Sequence, residues 1–226
     1  MLLELAEALD CPRCRDGYGL VTFVTRADRR RVLAGHLGCP MCEVEFRVEG
    51  GTIRFGHDAV EETTAPARDA GEAPPGAGPG PTWDPQTPVR VAGLLGLGEG
   101  PGRVVLLGPG LGPLAIEVAG LAGRVEILAW LEDGAGPAAW GPADLARGVN
   151  PVRGADPARW PVRAAGLDGV ALARPDEDLL EEAIRALRPD GRLVVLEPGP
   201  GAREALAGLG VEELASDPSA WVGRRR

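Results

Sequence analysis

From residue 89 onward the chain alternates between short unbroken apolar runs and longer stretches whose apolar positions recur every three or four residues. The runs are RVVLL (103–107), RVEILAW (124–130), GVALA (169–173) and RLVVLE (192–197). Each is bounded by Gly, Pro or charged residues and reads as a strand buried on both faces. PLAIEVAGLA (113–122) and DEDLLEEAIRAL (176–187) read as helices. In the second, Leu179, Leu180, Ala183, Ile184 and Leu187 share one face. In the first, Pro113 suits the opening turn, where its missing N–H costs nothing. VRVAGLLGLG (89–98), DLARGV (144–149) and AREALAGLG (202–210) predict shorter helices, and VEELASDPSAWVGRR (211–225) a closing hairpin. Continuous apolar strands alternating with helices predict an α/β fold with a mostly parallel sheet covered on both faces.

The pattern breaks over residues 59–88, AVEETTAPARDAGEAPPGAGPGPTWDPQTP. This stretch is rich in Pro, Gly and Ala, has almost no aliphatic side chains and cannot bury a core. It reads as a linker. Trp83 is its one large apolar group and is expected to dock on the chain's own fold or on a partner. Residues 1–58 carry all four cysteines and both histidines. The expected organisation is a small N-terminal module (1–58), the linker (59–88) and an α/β domain (89–226).

Composition narrows the function. A chain of 226 residues holds one ordinary domain and a small one. The formal net charge of -9 argues against a broadly basic nucleic-acid binder. The final GRRR is basic, but it reads as a solvated terminus. Every basic residue other than histidine is arginine, a bias that fits a GC-rich coding sequence rather than a special arginine chemistry. The first residues, MLLELAEALD, lack the basic start of a secretory signal, and no uncharged apolar run reaches membrane-spanning length. A soluble cytoplasmic protein is expected.

Cys11 and Cys14 stand in CPRC, and Cys39 and Cys42 in CPMC. A CxxC turn aims two thiolates at one ion, and two such turns complete a tetrahedral four-sulfur shell, the preferred geometry of structural zinc. Two disulfides or reactive thiols fit a cytosolic chain poorly. A closed four-thiolate shell leaves no open position, so the expected zinc is structural. His36 lies three residues before Cys39, yet with four cysteines present it reads as a surface residue. His57 has no partner visible in the sequence. The segment LDCPRC…LGCPMCEVEFRVEGGTIRF resembles the small zinc-ribbon proteins that activate tRNA, rRNA and protein methyltransferases, and their bacterial relatives. That resemblance implies a protein partner, bound by extending its sheet and covering an apolar surface; the ribbon, the linker and Trp83 are the expected contacts.

Residues 89–226 resemble class I S-adenosylmethionine-dependent methyltransferases. AIRALRPDGRLVVLEP (183–198) is similar to the family's helix, turn and fifth strand, and AAGLDGVALAR (164–174) to its fourth strand, with Asp168 at the usual aspartate. The resemblance implies a Rossmann-like fold with an antiparallel final hairpin, and Gly108, Gly110 and Gly112 as the cofactor loop. Glycines there let the backbone turn tightly beside a ligand at a helix N-terminus. The family's carboxylates are missing, however. Leu106 stands two residues before the first glycine, Ala129 ends the second strand, and Ala155 falls near the adenine, with Asp156 one step on. Glu132 and Asp133 come three or four residues late. Pro109 and Pro113 remove two backbone donors. A nicotinamide-binding loop fits worse, because Pro113 takes the third glycine position of G-x-G-x-x-G. S-adenosylmethionine is therefore expected to bind weakly or not at all, with no catalytic residue assigned. Trp130 is expected in the core rather than in the adenosine space. Two functions follow: a degenerate methyltransferase-like subunit of a larger assembly, or a methyltransferase carrying its own zinc-ribbon activator.

Overall fold

A computed structural model describes residues 1–15, 17–56, 83–98, 100–108, 110–130, 148–154, 156, 159–199 and 201–226. Most of the linker, His57, Pro109, Glu132, Asp133, Ala155 and the DLAR of the short helix expected over 144–149 lie outside the described residues.

Among the described residues eleven strands form one sheet. The N-terminal segment supplies β1 (Val21–Asp28), β2 (Arg31–Gly38), β3 (Glu45–Glu49) and β4 (Thr52–Arg54). The remainder supplies β5 (Gly102–Leu107), β6 (Val125–Trp130), β7 (Val149–Arg153), β8 (Leu167–Ala173), β9 (Leu187–Leu196), β10 (Val211–Ser216) and β11 (Ala220–Arg225). Their order is β1-β2-β3-β4-β7-β6-β5-β8-β9-β11-β10. From β4 to β9 all neighbours are parallel, and the first four strands and the closing hairpin are antiparallel. The N-terminal strands thus extend the α/β sheet, joined where Ile53 and Arg54 of β4 pair with Val152 and Arg153 of β7.

Among the described residues the α-helices are α1 (Thr87–Leu95), α2 (Leu111–Leu121), α3 (Glu177–Ala186) and α4 (Ala202–Gly208). The α3 helix starts cleanly because the Asp176 carboxylate accepts the Leu179 N–H at 2.9 Å. Alternation along the buried strands divides the core into two layers. Val104, Leu106, Ile127 and Ala129 face α1 and α2. Val105, Leu107, Leu128 and Trp130 face α3, α4 and the N-terminal segment, where they share a cluster with Leu5, Leu9, Phe46 and Ile53. Trp83 packs on the α1/α2 layer, so it docks on the chain's own fold.

The strand β7 was not legible in the sequence. VNPVR has a proline at its centre, and a proline inside a strand argues against a central position. Arg153 turns its carbonyl to β4, accepting the Phe55 N–H at 2.8 Å. Two-residue alternation points Pro151 the same way, just before the β4 ladder begins at Val152, so its missing N–H removes no bond there. Among the described residues no helix is long and apolar enough to cross a membrane.

Candidate functional site

The two cysteine pairs are built alike. Arg15 and Glu43 each follow the second cysteine of a pair, and both adopt the left-handed conformation, with φ of 50° and 59°. Each donates its N–H back to the first cysteine's carbonyl, at 2.9 Å to Cys11 and 3.0 Å to Cys39. The two turns bring four sulfurs together. Cys11 Sγ lies 3.6 Å from Cys42 Sγ, Cys14 Sγ lies 3.4 Å from Cys39 Sγ, and all four are within 4.8 Å of one another. A tetrahedral zinc with Zn–S bonds of about 2.3 Å separates its sulfurs by about 3.8 Å. The cysteines therefore fit such an ion. Burial pushes the Cys11 thiol up to about 11. Burial also disfavours the Cys39 thiolate, but N–H donors from Cys42 and Met41 outweigh it and lower that thiol below its usual range. Bound metal would hold every sulfur as thiolate. His36 stands apart, stacked on Phe23 at 4.8 Å and 3.6 Å from a Glu45 carboxylate oxygen.

The first knuckle is tied to the α/β half. Asp10 N–H donates to Pro161 O at 3.2 Å, and Arg163 N–H to Ala8 O at 2.9 Å. The Arg15 guanidinium pairs with Glu182 of α3 at 2.9 Å. Glu182 also pairs with Arg185 at 3.0 Å and accepts the Trp160 N–H at 3.2 Å. Burial works against the Glu182 carboxylate, but the Arg185 and Arg15 guanidiniums hold its pKa below the usual range. A second tie was invisible in the sequence. Asn150 of β7 is fully buried. Its side-chain oxygen accepts the Leu2 N–H at 2.8 Å, and its amide donates to Glu126 at 2.7 Å. Arg31 closes this network on Glu126 and Asn150. A lone Asn beside a proline gives no pattern to read.

The glycine loop joins β5 to α2 at the carboxyl edge of the parallel strands. Gly108 has φ of +125°, and a Cβ there would stand 2.6 Å from the Ala173 carbonyl oxygen. Gly110 is the left-handed residue that opens α2, with φ of 72°. Gly112 is buried in the first turn of that helix. Leu106 and Ala129 are direct neighbours across the β5–β6 ladder, and both are fully buried in the α1/α2 layer with Leu111 and Leu114. Trp130 faces the other layer, with its ring 5.9 Å from that of Trp160. Asp168 sits near the start of β8. It accepts the Arg103 N–H at 2.7 Å and pairs with Arg188 at 2.7 Å, so it braces the opposite end of the sheet.

No family model and no curated protein matches the chain. Solved structures do. One is an S-adenosylmethionine-dependent O-methyltransferase from Thermotoga maritima, with 17% identity, a TM-score of 0.51, and 64% of this chain aligned to 66% of that one. Another is the [4+2]-cyclase SpnF, with 21% identity, a TM-score of 0.48, and 57% of each chain aligned. A third is a geranyl diphosphate methyltransferase, solved with GPP and sinefungin, with 12% identity, a TM-score of 0.49, and 62% of this chain aligned to 77% of that one. The chain thus spans less than two thirds of the first two. The likeness to the O-methyltransferase establishes the fold: α/β, Rossmann-like, of the class I methyltransferase type, with a mostly parallel central sheet. The four clustered cysteines stand beside it.

Proposed function

We propose that this chain is a degenerate methyltransferase-like protein that serves as a non-catalytic binding or structural subunit of a larger assembly. The observation that carries this reading is the neighbouring pair Leu106 and Ala129. Both occupy positions where the resembled family places carboxylates, and both are fully buried in an apolar layer. A ribose hydroxyl left without its partner costs roughly 1–3 kcal/mol per unmade bond. Gly108 has a steric reason to be glycine whether or not a cofactor binds, since Ala173 blocks a side chain there. In this reading the ribbon holds one structural zinc through Cys11, Cys14, Cys39 and Cys42. Its outer strand β1, which exposes Val21, Phe23 and Val24, offers a contact for a protein partner in the cytoplasm, along with the linker. Calorimetric titration with S-adenosylmethionine and S-adenosylhomocysteine tests the reading. The expected dissociation constant is no tighter than about 100 μM, near −5.5 kcal/mol.

One observation favours a second reading, a methyltransferase with its own zinc-ribbon activator. The β4 strand adds to the sheet edge at β7, as the ribbon resemblance implies for an activator. Methyl transfer needs mainly proximity and orientation, so the absence of an assigned base does not count against it. Low-micromolar cofactor binding would make this reading the better one.

A further inference from the structure

Of the four clustered cysteines, Cys14 alone is exposed; Cys11 and Cys39 are buried and Cys42 is half-buried. Oxidants arrive from solvent, and a sulfur's susceptibility follows its thiolate character and its exposure. A metal shell holds every sulfur as thiolate, so exposure decides which of the four is attacked. That picks out Cys14. Across the knuckles, the Cys39 Sγ lies 3.4 Å from the Cys14 Sγ. An accessible thiolate beside a second, protected one is the arrangement in which oxidation ends in a disulfide. Lasting disulfides are out of place in a cytosolic chain, but transient ones serve there as redox sensors.

Cys14 is also placed to transmit a change. The next residue, Arg15, donates its N–H to the Cys11 carbonyl at 2.9 Å and pairs through its guanidinium with Glu182 of α3 at 2.9 Å. Glu182 in turn accepts the N–H of the buried Trp160. Cys11 and Cys39 belong to the apolar cluster that also holds Leu128 of β6 and Val170 of β8. A sulfur that moves at Cys14 therefore pulls on the tie between the first knuckle and the α/β half.

We propose that Cys14 and Cys39 form a peroxide-sensitive switch, in which a hydroperoxide joins them as a disulfide, the metal shell is lost and the N-terminal segment loosens from the α/β half. The Cys14 thiolate attacks the terminal peroxide oxygen. An S–O bond forms, the O–O bond breaks, and the leaving oxygen takes a proton. The Cys39 thiolate then attacks the Cys14 sulfur. The S–S bond forms, the S–O bond breaks, and the departing hydroxide takes a second proton as water. Each sulfur loses one electron and the peroxide gains two. Two thiolates, one hydroperoxide and two protons thus give a disulfide, water and the alcohol of the hydroperoxide (a second water for hydrogen peroxide). Cys11 and Cys42 remain as thiolates, and two sulfurs do not complete the tetrahedral shell of structural zinc. The switch rests on the zinc reading of the cysteines and is independent of cofactor binding at the glycine loop.

Hydrogen peroxide is the probe, added to the full-length protein after elemental analysis has fixed its zinc content. Zinc release, read with a chromogenic chelator, should follow peroxide one for one. Peptide mapping without reductant should join Cys14 to Cys39. A thiol reductant with added zinc should restore the metal. Hydrogen exchange should rise in β1–β4 and in α3 after peroxide and fall again on recovery. Cys14→His removes the accessible sulfur but keeps four donors in a set that zinc accepts, so release should slow about tenfold or more. Should that variant fail to load, the mapping of the wild-type chain still decides. Met41 is 59% exposed in the second knuckle, but its sulfoxide leaves the four donors intact, so Met41→Leu should change nothing. Zinc retained under excess peroxide, disulfides confined within CPRC or CPMC, irreversible oxidation of Cys14, unchanged exchange in α3, or unslowed release from Cys14→His overturns the switch. Protein purified without zinc overturns the zinc reading, and the switch with it.

Discussion

The cysteine knuckles and the glycine loop are both turns that could hold a ligand, and they differ in what has been kept. At the knuckles the backbone turns and the chemical groups are both present: two matched left-handed turns and four convergent sulfurs. At the glycine loop Gly108 and Gly110 have positive φ, while Leu106 and Ala129, which align with carboxylate positions of the resembled family, are aliphatic and packed in the core. A metal site is defined by its donor atoms, so its completeness can be checked directly. A glycine loop is defined by its path, and a path can persist for steric reasons after its ligand is gone. At Gly108 such a steric reason exists whether or not a ligand binds, because the strand β8 alone forbids a side chain there.

The largest expected effect tests the complete site. Structural zinc in small modules contributes on the order of 10 kcal/mol, comparable to the whole stability of a domain. Cys39→Ser, or chelation, should abolish stoichiometric zinc and unfold β1–β4, read by elemental analysis and hydrogen exchange. Because Cys11 and Cys39 belong to the cluster shared with β6 and β8, the α/β half should also lose protection. A metal-free protein with an intact N-terminal segment would break the comparison from this side.

Restoring a carboxylate probes the incomplete site. Leu106→Asp places an unpaired charge in an apolar layer and should cost about 4 kcal/mol or more, read as a fall in the denaturation midpoint. Leu106→Ala should cost about 3 kcal/mol through the cavity alone. If the aspartate were tolerated and raised cofactor affinity, the position would be an open pocket and the loop would be a working one.

Smaller effects separate path from ligand. Gly108→Ala should cost about 2 kcal/mol, because its Cβ meets backbone rather than a side chain that can move. Gly110→Ala should cost about 1 kcal/mol, the strain of a left-handed alanine. Both costs should appear in the absence of any cofactor.

The pH dependence of the tie between knuckle and helix is the finest test. Glu182 has its folded pKa below the ordinary carboxylate value, so its stabilisation is present above that value and is lost as pH falls through the folded pKa. Glu182→Gln should destabilise the protein near neutral pH and flatten the acid limb of its stability curve below about pH 4. An unchanged acid limb would show that the pairs with Arg15 and Arg185 contribute nothing.

Much of this was legible because its signals are local. The apolar runs at 103–107 and 192–197, the amphipathic face of 176–187 and the two CxxC turns each carry their meaning within a few residues. Trp130 lies in the core, where it was expected. What escaped was long-range or irregular. Pro151 disguised β7, since only its place before the β4 ladder makes a proline tolerable there. The Asn150–Glu126–Arg31 network joins residues that no sequence period connects. Asp168 resembled a familiar aspartate, but only the fold shows it bracing Arg103 and Arg188 away from the glycine loop.

The most direct measurement is one diffraction experiment at the zinc edge on crystals grown with millimolar S-adenosylhomocysteine. The account predicts a single strong anomalous peak among Cys11, Cys14, Cys39 and Cys42, and no ligand density over Gly108–Gly112, with Leu106 and Ala129 packed as they are here. Clear nucleoside density against that loop, or no metal among the four sulfurs, would contradict it.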